Sequence, residues 1–435
     1  MKNKQTMVID YKSIVFHEST TKENLMKSLS KTLFIVLLVC ILNSCKKTSE
    51  LKTGVWRATI PTSGGELPFN FDIQYEDDAY SVVVLNGEEK LKMDKSFIKD
   101  DSLHIPMEVF DAEIVAKIGD EKLTGYWKKM RSDFSFLKGD FTAEFGKTYR
   151  FTEKEADVTS SLASMYKVLF LSEDKKDSTV SVGLFNVKGN EVRGTFLTPT
   201  GDYRYLSGNI IEDSLKLSCF DGTHLFLFKA KIEGDKLTGG EFWSGLKSLE
   251  TWEGVKDDNA KLPDEKTLTY LKDGYKTIAF SFPNEEGKKI SLTDERYKGK
   301  VVVAQIMGSW CPNCMDESKF LAPWYTKNKQ KGVEIIGLAY EKSTDPAFAF
   351  PKIKRLKERF GINYEVLLAG TNDKAEASKT LPMLNHVLGF PTTIFIDKKG
   401  QVREIHTGFS GPGTGKYYDD FVSDFNRLVD KLLAE

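Results

Sequence analysis

Asp101-Ser102-Leu103, followed by Lys122-Leu123-Thr124-Gly125, returns farther along the chain as Asp213-Ser214-Leu215 followed by Lys236-Leu237-Thr238-Gly239. The offset is nearly constant, and Trp127 and Trp243 close the two copies. Such self-similarity means that one structural unit is written twice and that the copies stack or share a core. Phe69, Phe71, Ile73 and Tyr75 alternate with polar residues, as do Tyr80, Val82 and Val84, and Asn86-Gly87 is a two-residue hairpin signal. Helical periodicity is weak here, so the pattern predicts an all-β antiparallel region in two repeats, one module over 50–150 and a second over 151–255. The two are packed together or share one sandwich or barrel, with Trp56, Phe71 and Trp243 read as core fillers.

A chain of 435 residues is too long for one core. Asp257-Asp258-Asn259-Ala260-Lys261-Leu262-Pro263-Asp264-Glu265-Lys266 is polar and contains a proline, which suits a linker over 256–274. Beyond it, over 275–435, the texture changes to strands alternating with helices, the mark of an α/β domain. Val301-Val302-Val303-Ala304-Gln305-Ile306 reads as a strand covered on both faces, 333–340 and 364–368 as further strands, and 351–360 as a charged amphipathic helix. A hairpin spans 392–396 and 402–406, and Phe421, Phe425, Leu428, Val429 and Leu432 mark a closing helix.

Between the first of these strands and a run with Phe320, Leu321, Trp324 and Tyr325 at helical spacing stands Trp310-Cys311-Pro312-Asn313-Cys314. A C-x-x-C at that place is a two-electron thiol/disulfide device. Unpaired N–H groups and the helix dipole favour a thiolate at Cys311, which makes it the nucleophile, with Cys314 the shielded resolving thiol. Cys219 stands alone in a strand-like stretch and reads as a small buried hydrophobe. A formal charge of -1 with no basic stripe gives no reason to expect nucleic acid. The five histidines are scattered, so no metal or other cofactor is expected. Ser410-Gly411-Pro412-Gly413-Thr414-Gly415-Lys416-Tyr417 imitates a phosphate loop but lacks its first glycine and its final Ser or Thr, and reads as a flexible loop with no nucleotide.

At the start, Lys27 and Lys31 precede the apolar run Leu33 to Leu42, which has the length of a secretory core rather than a membrane span. Leu42-Asn43-Ser44-Cys45 resembles a bacterial lipobox. The resemblance implies that 1–44 is a leader removed before Cys45 and that the Cys45 thiol is lipidated. Residues 1–25 are polar and long for a leader, and Met26-Lys27-Ser28 would open a signal peptide of normal proportions, so translation is expected to start at Met26. The expected location is the periplasmic side of the cell envelope, lipid-anchored to a membrane, where a dithiol needs a dedicated donor to stay reduced.

Trp310-Cys311-x-x-Cys314, then Glu317, then Gly389-Phe390-Pro391-Thr392-Thr393 before a strand ending in Ile396-Asp397, resembles the TlpA/ResA-type thioredoxin-fold thiol:disulfide oxidoreductases over 275–435. The resemblance implies a mixed sheet flanked by helices, with an extra helix and strand at about 345–369. It implies a cis Pro391 facing the dithiol, substrate contacts from Trp310, Phe390 and Pro391, and a buried Glu317 that moves the proton of the inner cysteine. The implied partners are a protein disulfide substrate and a membrane thiol donor or acceptor. Asn313 carries no charge, unlike the histidine of strongly oxidising C-P-H-C proteins, which favours a reductase or isomerase. Two alternatives stand beside this reading. A peroxiredoxin-type thiol peroxidase requires a Thr or Ser three residues before its cysteine, where Gly308 stands; the other is a non-catalytic envelope binding lipoprotein.

Overall fold

A computed structural model describes residues 50–131, 133–154 and 160–435; the leader and Cys45 lie outside the described residues. Among the described residues, each half of the β region contributes nine strands. The first set is β1 (Gly54–Thr62), β2 (Gly65–Glu76), β3 (Ala79–Asn86), β4 (Glu89–Lys92), β5 (Phe97–Lys99), β6 (Ser102–Met107), β7 (Ala112–Ile118), β8 (Lys122–Met130) and β9 (Phe136–Phe145). The second is β10 (Met165–Ser172), β11 (Ser178–Lys188), β12 (Glu191–Thr198), β13 (Gly201–Asp202), β14 (Leu206–Ile211), β15 (Ser214–Phe220), β16 (Leu225–Glu233), β17 (Lys236–Ser244) and β18 (Ser248–Lys256).

Both sets follow one plan. β1 pairs with β2 and β9, and the first sheet runs β4-β3-β2-β1-β9-β8-β7-β6-β5. β10 pairs with β11 and β18 in the same way, and the second sheet runs β11-β10-β18-β17-β16-β15-β14-β12-β13. Ser102-Leu103 and Ser214-Leu215 open β6 and β15, while Lys122-Leu123 and Lys236-Leu237 open β8 and β17, so the sequence repeat is a repeat of topology. β11 also pairs with β12, which closes the second sheet into a barrel and removes its open edges. In the first sheet the corresponding closure is a single bridge between Tyr80 and Ser96.

Period-two alternation turns Trp56, Ala58 and Ile60 of β1 inward. The cores of the two sets meet: Phe220, Leu225 and Leu227 are buried with the first set, and Phe69 stacks on Phe220 with centroids 4.2 Å apart. Arg150 is buried across this junction, donating to the Asn86 side chain at 2.9 Å and the Ser218 carbonyl at 3.3 Å.

The polar stretch after β18 is docked along its length. Ala260 is buried against Val182 and Leu197, Asp264 caps the single helical turn Glu265–Leu268, and Leu271 bridges Leu384. The C-terminal domain then opens with a small hairpin, β19 (Ser281–Pro283) and β20 (Lys289–Ser291). Its main sheet has the order β23-β22-β21-β24-β25, from β21 (Val301–Met307), β22 (Val333–Glu341), β23 (Glu365–Thr371), β24 (Thr392–Ile396) and β25 (Val402–Thr407). β21, β22 and β23 are parallel and the last two antiparallel, a thioredoxin-type α/β arrangement. β21 is central and all seven of its residues are buried, which is why its sequence is an almost unbroken apolar run.

Four helices complete the domain: α1 (Pro312–Asn328), α2 (Pro346–Phe360), α3 (Lys374–Thr380) and α4 (Lys416–Ala434). α2 starts at Pro346 rather than at 351, because the Asp345 side chain accepts from the Ala347 N–H and Pro346 fits the first helical position, leaving Pro351 inside the helix. This inserted helix binds the β region: Arg359 meets Asp94 at 2.8 Å and Lys352 pairs with Asp111, which also takes Lys342 from just after β22. Among the described residues, no helix is long and apolar enough to cross a membrane.

Candidate active site

Two groups hold the turn between β21 and α1, the buried Glu341 and the half-buried Trp310. Glu341, at the end of β22 and fully buried, accepts the Ser309 N–H at 2.8 Å and the Ser309 hydroxyl at 2.7 Å. Burial raises its pKa while the two Ser309 donors oppose the rise. Trp310 donates from Nε1 to the Tyr340 carbonyl at 2.8 Å and meets the Phe390 ring edge-on, centroids 5.6 Å apart.

Cys311 is the N-cap of α1, its sulfur accepting the Cys314 N–H at 3.2 Å, and Pro312 takes the first helical position, where its missing N–H is not needed. Cys311 and Cys314 are joined as a disulfide, Cα atoms 5.2 Å apart. β24 runs antiparallel to β21 with Thr392 opposite Ile306, which brings the preceding Phe390-Pro391 segment against the motif. That peptide bond is cis, and the Phe390 carbonyl lies 3.4 Å from Cys311 Sγ.

Glu317, one turn into α1 from Cys314, is fully buried. Thr393 Oγ1 donates to it at 2.6 Å and Gln305 Nε2 at 2.7 Å, and the same Gln305 amide reaches the Cys314 carbonyl at 3.5 Å. Burial lifts the Glu317 pKa to about 7 against the pull of the two donors. A carboxyl poised there can take up or release a proton near neutrality. Asp316 beside it is buried too, pairing with Arg204 and with Lys319 at 2.7 Å.

Arg204 belongs to the β region, and it marks what no motif announced. The β12–β13 hairpin, turning at Pro199-Thr200, lies on the dithiol face of the C-terminal domain. Asn313 of the C-x-x-C donates to the Asp202 carbonyl at 3.3 Å, and the Gly411 N–H donates to the Asp202 carboxylate at 2.7 Å. Arg204 is 4% exposed and bonds Glu89 at 2.6 Å, Asp221 at 3.3 Å and Asp316. Burial pushes Asp202 up to about 6, with Arg204 opposing. The run 410–417 is therefore a docking strip rather than a free loop. It contains the short 3-10 turn Pro412–Thr414, and its Gly411 amide is committed to Asp202.

Cys314 is fully buried, Cys311 is 5% exposed and Phe390 7%. Gln305 and Glu341 carried a readable signal, each being a polar residue within a strand of buried apolar neighbours. The hairpin carried only the turn composition of Thr198-Pro199-Thr200-Gly201-Asp202, which predicts a bend and not its docking place. Among the described residues, no group of three or more His, Cys, Asp or Glu is arranged to hold a metal ion.

Residues 274–405 match the AhpC/TSA family. The C-terminal domain resembles the ResA thiol-disulfide oxidoreductases. That of Bacillus thuringiensis subsp. konkukian is 33% identical over 117 residues, covering 27% of this chain and 59% of the relative. That of Bacillus subtilis is 29% identical over 138 residues, covering 32% of this chain and 69% of the relative. The chain thus spans little more than half the length of the first of these, and the family match lies within 274–405. Similar solved structures include a thiol-disulfide oxidoreductase from Bacteroides fragilis, 18% identical with a TM-score of 0.27, covering 34% of this chain and 99% of that one. Another is a thioredoxin-family thiol:disulfide interchange protein from Chlorobium tepidum, 23% identical with a TM-score of 0.29, covering 37% and 99%.

Proposed function

We propose that this protein is a thiol:disulfide oxidoreductase, tethered to a membrane outside the cytoplasm by a lipid on Cys45, that reduces or isomerises protein disulfides. The observation that carries the reading is the Cys311–Cys314 pair at the start of α1 with Cys311 Sγ against the Phe390 carbonyl. In the reduced protein the Cys311 thiolate attacks one sulfur of a substrate disulfide; a mixed disulfide forms and the other substrate sulfur leaves as a thiolate. Cys314 then loses its proton and attacks Cys311 Sγ, releasing the second substrate thiol and closing the internal disulfide. Two electrons pass from the dithiol to the substrate.

Glu317 takes up the Cys314 proton in that second step, with Gln305 linking the carboxylate to the Cys314 backbone. Trp310, Phe390 and Pro391 form the substrate-facing wall. A membrane thiol donor restores the dithiol, since the extracytoplasmic compartment does not. Turnover of a low-molecular-weight disulfide and of insulin, coupled to dithiothreitol, tests the reading: Cys311→Ser abolishes both, and full turnover by that variant contradicts it. Detergent partitioning of Cys45→Ala tests the tether; unchanged membrane association contradicts it.

A further inference from the structure

The face that an oxidoreductase offers to a polypeptide is already occupied. Thr200 packs against Gly389, directly before Phe390, and the Thr200 carbonyl carbon stands 2.8 Å from where a Cβ on Gly408 would be. Gly408 sits at φ +82, a conformation other residues rarely adopt, so the domain has a bare backbone where the hairpin presses on it. On the hairpin side, Gly201 sits at φ +144, and a Cβ there would collide with the Asn313 amide. Asn313 and Gly411 both donate to Asp202, and Arg204 ties the base of the hairpin to Asp316 on α1 itself. The contacts therefore run from the Phe390 loop across the C-x-x-C to the docking strip.

The corresponding hairpin of the first repeat, β3–β4, takes part through its Glu89, which reaches Arg204 at 2.6 Å. One copy of the duplicated unit supplies the cover and the other helps to latch it. Around the edges there is room for small molecules. A cavity of about 400 Å³ reaches Pro312, Met315 and Asp316 from the side of the first sheet, and one of about 330 Å³ reaches Trp310.

We infer that the Thr198–Asp202 hairpin is the specificity gate of this site. Closed, it fills the strip beside Phe390 that an extended polypeptide needs, leaving Cys311 to low-molecular-weight thiols and disulfides, and a protein disulfide reacts only after the hairpin lifts. An extended substrate gains affinity by laying its backbone along such a strip, and the hairpin competes for the same surface. The inference rests on the oxidoreductase reading for its meaning, but its test does not require turnover.

The full-length chain is reduced, and modification of Cys311 is followed by peptide mapping with N-ethylmaleimide and with a polymer-linked maleimide too bulky to pass Thr200. The wild type prefers the small reagent by about tenfold or more beyond the preference of free glutathione, which corresponds to a gate closed most of the time. Gly201→Ala, whose added methyl group pushes the hairpin off Asn313, brings the preference down toward that of glutathione, and Arg204→Lys lowers it part of the way. A wild type that shows only the glutathione preference overturns the gate without any variant, as does an unaltered preference in a folded Gly201→Ala protein. If the preference behaves as stated but neither small disulfides nor insulin are turned over, the gate stands and the oxidoreductase reading fails.

Discussion

The Asn313 side chain, inside the C-x-x-C, donates a hydrogen bond to the backbone carbonyl of Asp202, 111 residues earlier in the chain. The C-x-x-C motif and the duplicated β region thus meet directly at this bond.

The buried Glu317 makes stability depend on pH in a definite direction. Its folded pKa, about 7, lies above the ordinary value of 4.5, so its contribution is fully present below about pH 4.5 and is lost as pH rises through 7. The whole effect is about 3 kcal/mol. Glu317→Gln removes the titration; its amide oxygen can still accept from Gln305 while its NH2 donates to the Thr393 hydroxyl. Its melting midpoint should gain several degrees on the wild type between pH 5 and pH 8; parallel curves contradict the assignment.

Glu341 and Ser309 give a second, local prediction. Glu341→Ala strands the Ser309 N–H and hydroxyl in a buried place, which costs about 3 kcal/mol and loosens the Trp310–Cys311 turn. Ser309→Ala loses only the hydroxyl bond, at about 1–2 kcal/mol. Melting curves, with the rate of Cys311 alkylation as the readout of turn geometry, should rank the two variants in that order. Equal losses contradict it.

Arg204 faces three carboxylates at the junction of both β sets and α1. Arg204→Met leaves those charges buried without a partner, an effect of about 3–5 kcal/mol. Calorimetry should show the C-terminal domain parting from the β region as a separate transition at lower temperature. An unchanged single transition contradicts the latch.

Much of this was legible because it is local. The strand before the motif, the helix after it and the 392–407 hairpin follow from periodicity and turn residues within short windows, and the duplicated Asp-Ser-Leu and Lys-Leu-Thr-Gly segments fall at matching strand starts. What was not legible depends on distant partners. The pairing of Asp316 depends on Arg204, 112 residues away, which no local window around the motif contains. The run 410–417 looked free because its glycines signal flexibility, but Gly411 and Gly413 serve close approach to Asp202 and Tyr205 instead. The start of α2 was misplaced because Pro351 was taken as a beginning when Pro346, behind an Asp cap, was the better one.

Cys219 is fully buried and, among the described residues, free; burial raises its thiol pKa well above the ordinary value, with Asp221 and Glu89 adding to the rise. In the folded, reduced protein it should resist iodoacetamide while Cys311 reacts, and become reactive only on unfolding. Modification of Cys219 at the rate of Cys311 contradicts its place in the core.

In the proposed mechanism Cys311 attacks and Cys314 resolves, and capture of the mixed disulfide tests this order of events. Full-length Cys314→Ser, reduced and incubated with insulin, should accumulate a mixed disulfide visible on a non-reducing gel and mapped to Cys311, while Cys311→Ser accumulates none. A conjugate at any other cysteine, or equal capture by both variants, contradicts the account.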